Sequence, residues 1–119
     1  MTIAILAQRN AMATAYGVAA PYGALFTTDP GTTGSVVGEV TGGSPAYARK
    51  ALTWGTAATS AVVSAATAFD VPSGATIKFA GVTASATAGT SDLRDYVAVA
   101  NQAFASQGTY TLTATYTQS

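Results

Sequence analysis

The chain has 119 residues, five of them basic and five acidic, and carries no formal net charge. Cysteine and histidine are both absent, which excludes thiol nucleophiles, zinc thiolate and imidazole metal sites, and every histidine-based triad. Charged residues make up only 8% of the chain against roughly 25% in an average globular protein, so charge does little to hold copies apart.

The opening run Met1 to Ala7 lacks a basic segment and is too short for a signal peptide, and Gln8, Arg9 and Asn10 end it. A helix is predicted over Thr2 to Tyr16. Thr2 suits an N-cap, the Ala-rich run that follows has high helix propensity, and Gly17 supplies a C-terminal stop. Ile5, Met12 and Tyr16, with Leu6 and Ala13 beside them, form its apolar stripe. Arg9 and Gln8 lie off the centre of that stripe.

After Pro21 the chain reads as β. Gly23 to Thr28 is a short strand ended by the turn signal Asp29-Pro30-Gly31. Thr32 to Ser44 is a Gly-rich loop with a short strand around Val36 to Val40. Tyr47 to Trp54 is a strand stopped by Gly55, and Ala61 to Val63 and Ala66 to Val71 are weaker strands. The uncharged stretch Ala51 to Phe69 is interrupted by Thr, Ser and Gly55, so no membrane span is expected. Thr76 to Thr83 alternates in polarity. Leu93 to Ala100 alternates as well, but leaves its buried face ambiguous. From Thr109 to Thr117 threonines alternate with Tyr110, Leu112, Ala114 and Tyr116, the pattern of one half-buried antiparallel strand. The fold class expected is mainly β: an antiparallel β-sandwich or jelly-roll-like barrel with one N-terminal α-helix. It forms a single domain over 1–119, with the helix at 2–16 and the sandwich at 23–118.

Few residues offer chemistry. Asp29 and Glu39 bracket the Gly-rich loop, and Asp92 and Asp95 flank Arg94, but a glycosidase needs two carboxylates across a sugar cleft. Turn capping by Asp29 and pairing of Asp95 with Arg94 or Arg49 explain them more simply. Calcium at Asp29 and Glu39 lacks the spaced acidic run that specifies a calcium loop. Gly31 to Ser35 lacks the Lys and the following helix of a phosphate loop. An activated serine would have only Lys50 or Lys78 as its base. Arg9, Arg49, Lys50, Lys78 and Arg94 are too scattered to bind nucleic acid. Trp54 closes an apolar strand and reads as a core residue. No catalytic, cofactor-binding or metal-ligating residue is therefore expected, and no cofactor. What stands out is a surface of uncharged Ala, Thr and Ser strands that is poorly defended against edge pairing.

The ordered motifs Leu25-Phe26-Thr27-Thr28-Asp29-Pro30-Gly31, Gly38-Glu39-Val40-Thr41-Gly42-Gly43 and Tyr47-Ala48-Arg49 resemble a family of small virion proteins. That family occurs in tailed phages of actinobacteria and is described as tail-fibre-like or minor tail proteins. The resemblance runs on through Leu52-Thr53-Trp54-Gly55, Phe69-Asp70-Val71-Pro72, Gly74-Ala75-Thr76-Ile77 and Gly108-Thr109-Tyr110-Thr111-Leu112-Thr113. Departures fall at Lys78 to Thr83, at the loop Ala84 to Ser91 and at the strand from Leu93. The resemblance implies a non-enzymatic virion protein with a β-sandwich and an N-terminal helix. Asp29-Pro30-Gly31 sets a turn, Gly42-Gly43 allows a positive-φ bend, and Arg49 is placed to pair with Glu39 or Asp29.

The function expected is that of a structural subunit, minor tail or fibre-associated, which works by docking and oligomerising. Its partners would be other virion proteins and copies of itself, with neither nucleic acid nor membrane. It would lie on the virion, in the tail or on the capsid surface, and be assembled in the host cytoplasm. The alternatives are a capsid decoration protein on the major capsid lattice and a carbohydrate-binding module presenting Trp54 and tyrosines.

Overall fold

Alternating apolar residues build two layers. The computed structural model describes residues 5–118. In chain order these form α1 (Leu6–Ala19), β1 (Tyr22–Phe26), β2 (Lys50–Ala51), β3 (Ala61–Val63), β4 (Thr67–Val71), β5 (Thr76–Thr83), β6 (Leu93–Ala103), β7 (Gly108–Leu112) and β8 (Thr115–Thr117). The first layer is a four-stranded sheet in the order β2-β1-β5-β6. The second consists of two separate ladders, β4-β7 and β3-β8. Every pairing is antiparallel. The chain is thus mainly β with one N-terminal helix, as its patterning predicts.

Leu25 of β1 and Ile77 and Ala80 of β5 meet Phe69 and Val71 of β4 in the main core, with Tyr110 and Leu112 of β7 packed against them. A second cluster joins Ala20, Leu52 and Val82 to Tyr16, Trp54 and Ala114 beneath the helix. The outer face of the large sheet carries a third, in which Ala24, Phe26 and Leu93 are covered by Val36, Phe79 and Tyr96. Gly81 makes that packing possible, because a Cβ there would lie 2.8 Å from Leu93 Cδ1.

Several expectations need correction. The helix begins at Leu6 and runs through Gly17 to Ala19; residues 2–4 of the predicted span, including the Thr2 cap, lie outside the described residues. Of the predicted stripe Ile5, Leu6, Met12, Ala13 and Tyr16, only Ala13 and Tyr16 turn inward, while Ile5, Leu6 and Met12 are exposed. Ala13 and Gly17 are the buried positions. Polar contacts complete that side: Arg9 Nε donates to Ser60 Oγ at 2.6 Å, and Ser60 N donates to Asn10 Oδ1 at 2.9 Å.

Val36 to Val40 contributes a single bridge, Glu39 opposite Phe26. Of Tyr47 to Trp54, only Lys50–Ala51 pairs as a strand, with Trp54 bridged to Ser64. This segment instead turns the Tyr47, Arg49 and Leu52 side chains inward. The C-terminal strand is two. Its alternation holds from Thr109 to Thr117, but the partner changes at Thr113–Ala114 from β4 to β3.

Candidate functional site

The most buried charges are drawn together from three loops. Glu39 sits where the Gly-rich loop bridges β1, fixed by Val40 N donating to Leu25 O and Thr27 N to Gly38 O. Arg49 immediately precedes β2, and Asp92 immediately precedes β6. The Arg49 side chain is fully enclosed. Its Nε and Nη2 donate to Glu39 Oε2 and Oε1 at 2.8 and 3.0 Å, a two-point contact that suits a planar guanidinium. Nη1 donates to Asp92 Oδ1 at 2.7 Å and to Ser85 O at 3.1 Å, while Nη2 also reaches Thr90 O at 2.8 Å.

The carboxylates are occupied from their other sides. Tyr47 Oη donates to Glu39 Oε2 at 2.9 Å, Gly89 N to Glu39 Oε1 at 2.9 Å, and Ser85 N to Asp92 Oδ2 at 2.7 Å. The Tyr47 hydroxyl in turn accepts Leu25 N, and burial pushes its pKa up. For Asp92, burial pushes the carboxyl up, but Ser85 and Arg49 outweigh it and hold it below its ordinary value. Burial also works against the Arg49 charge, yet Glu39 and Asp92 raise its pKa. Charge and hydrogen bonds here close on one another and pin the loop 84–92 to the start of the sheet.

The structure therefore joins Arg49 to Glu39 and to Asp92, not to Asp29 or Asp95. Asp29 caps its own turn, taking Gly31 N at 2.8 Å, and accepts Tyr96 Oη at 2.9 Å. These bonds lower its pKa, Gly31 first and Tyr96 second. Gly31, Gly42 and Gly43 all adopt positive φ, as the turn signals predict. Asp95 accepts Tyr16 Oη at 2.9 Å across from the helix. Lys50 lies in β2 and Lys78 in β5, on the large sheet, and Arg94 is exposed on β6. Asp92 is the participant that sequence reasoning missed, because nothing local links it to a residue 43 positions away.

Trp54 is half-buried. Its Nε1 donates to Ala20 O at 3.1 Å, Tyr16 meets it edge-on, and Gly17 lies against the ring. Tyr16 also stacks on Tyr116, with ring centroids 4.0 Å apart. Tyr16, Trp54 and Tyr116 are thus spent on one another and on the helix.

A cleft of about 420 Å³ opens where β6 passes the break between β7 and β8. Val82, Val97 and Val99 line one wall, Leu112 the other, and the Tyr16–Asp95 pair bounds it. Val97 is 62% exposed. No group of three acidic residues that could hold a metal occurs among the described residues, and no described helix is long and apolar enough to cross a membrane.

These features define an antiparallel β domain with an N-terminal helix, whose acids Asp29, Glu39, Asp92 and Asp95 serve internal hydrogen bonds. The chain belongs to the podophage GP4 fiber I protein gp80 family, whose model matches residues 4–118, and is thus a member of a phage fibre family. The match carries the tail-fibre-like class expected from the motifs and says nothing of an actinobacterial host. No curated protein and no solved structure matches the chain.

Proposed function

We propose that this protein is a non-enzymatic structural subunit of a phage tail, fibre-associated or minor, which works by docking onto other virion proteins and by oligomerising. The observation that carries this reading is the extent of the family match, which spans both layers and the helix. The enclosure of Glu39 and Asp92 around Arg49 agrees with it, since a general acid or base must reach substrate. The chain acts as one domain on the virion after assembly in the host cytoplasm. An actinobacterial host is part of the reading on the strength of the sequence resemblance alone.

Immunogold electron microscopy of intact virions tests the location. Label confined to the tail or its fibres supports the reading. Many labels over the head would replace it with a capsid decoration protein. A carbohydrate-binding role is disfavoured by Trp54, whose ring is covered by Gly17 and Tyr16 rather than offered as a stacking platform.

A further inference from the structure

β6 runs for eleven residues along one edge of the four-stranded sheet, and its outer side pairs with no strand among the described residues. From Tyr96 to Ala103 it contains neither charge nor proline, the usual devices that block edge pairing. The opposite edge, β2, is only two residues long. Register against β5 is regular over Asp95 to Ala98 and shifts on either side of that stretch. Bulged ends of this kind confine any added pairing to the centre of the strand.

Val97 occupies that centre. It lies directly opposite Ala80, a member of the main core, so it faces the core side of the sheet. It is nevertheless 62% exposed, because the second layer is interrupted beside it. An aliphatic side chain on the core face of this edge is the position that an added strand would cover, with one local bond to displace, since Tyr96 N donates to Asp95 Oδ1 at 2.9 Å.

We propose that β6 pairs antiparallel with β6 of a second copy about a two-fold axis at Val97, joining the two four-stranded sheets into one. In this register Val97 faces Val97 of the copy and Tyr96 faces Ala98 within the regular stretch, while Asp95 and Arg94 are carried towards Val99 and Ala100 at its irregular ends. No like charges meet, and the two uncovered valines close on each other. A second copy suits this edge because self-pairing sets the regular, uncharged stretch Tyr96 to Ala98 against itself, so one patch serves both chains. The proposal rests on the oligomerising role above and names its edge. The ladder is short beside the roughly 800 Å² per partner of a standard interface, so association is weak and depends on concentration.

The absence of cysteine makes a direct test simple. Residues facing across an antiparallel ladder have Cα atoms about 4.5–5.5 Å apart, within the range a disulfide bridges. Full-length Val97→Cys, oxidised with diamide, should form a disulfide dimer much faster than Val37→Cys, an equally exposed site on a loop. Equal rates overturn the proposal. Sedimentation supplies the second arm: the wild-type dimer should disappear in Val97→Lys with the circular dichroism spectrum unchanged. If Val97→Lys associates as the wild type does, this edge is wrong while the oligomerising role stands. A wild type that stays monomeric to millimolar concentration, without preferential cross-linking, overturns both. The tail location is judged separately by the virion label.

Discussion

Gly17 and Trp54 touch so closely that a Cβ on the glycine would lie 3.0 Å from the indole Cγ and 3.2 Å from Cδ1. The glycine that would ordinarily end a helix is here carried inside one, because the contact with the ring needs the missing side chain. The indole has little freedom to retreat, held by its bond to Ala20 O and by Tyr16.

Gly17→Ala is therefore expected to lower the melting temperature, although alanine favours a helix over glycine by about 1 kcal/mol. Thermal unfolding followed by circular dichroism checks this. A stabilised variant would mean that the ring moves aside freely.

Arg49→Met should be among the most damaging single changes. It leaves Glu39 buried without its partner, a class of change that costs about 3–5 kcal/mol. Denaturant unfolding measures the loss. Arg49→Lys should recover only a small part, since one ammonium cannot reproduce the guanidinium's contacts with Glu39, Asp92 and two carbonyls.

Acid should loosen the loop 84–92 before it unfolds the sheets. The Asp92 pKa is lower in the folded chain than its ordinary value. Its contribution to stability is thus fully present above the unfolded carboxylate pKa of about 3.9 and is lost as pH falls through the lower folded value. Amide exchange at Ser85 and Gly89, corrected for the intrinsic pH dependence, should be steady from pH 7 to about 5 and accelerate below about 4. Asp92→Asn should show the faster exchange already at neutral pH.

Thr59 and Ser60 form a two-residue turn between Ala58 and Ala61 with φ of 47° and 68°, a conformation that suits Asn-Gly far better than a β-branched residue. Thr59→Asn should stabilise the chain by about 1 kcal/mol. Ser60→Gly should gain less or nothing, because it removes the hydroxyl that accepts Arg9 Nε. Melting temperatures of the two variants separate these outcomes.

Where a strand's own residues determine its pairing, the sequence was readable. Thr76 to Thr83 and Ala61 to Val63 form strands over the predicted residues, and threonines point outward from Thr109 to Thr117. The predicted features that changed depend on distant neighbours. The last strand divides because β3 and β4 each claim half of it, a fact outside the segment's own alternation. The helix turns its small residues inward because Ala13 and Gly17 allow a close approach that Met12 and Leu6 would prevent. Arg9, on that side, finds Ser60. Of the buried ion cluster, Glu39 was legible only as one of several acids open to Arg49, ten residues away, whereas Asp92 arrives from the far end of a loop with no periodicity to announce it.

Ser60 gathers both ends of the described chain. Arg9 and Asn10 of the helix bind its hydroxyl and its N–H, and Gln118 N donates to its carbonyl at 2.7 Å. Tension between helix and C-terminus in an assembled fibre would fall first on this turn and on the short β3-β8 ladder. The large sheet would lie outside the path of the force, so the subunit could yield at its ends while its β6 edge kept its shape.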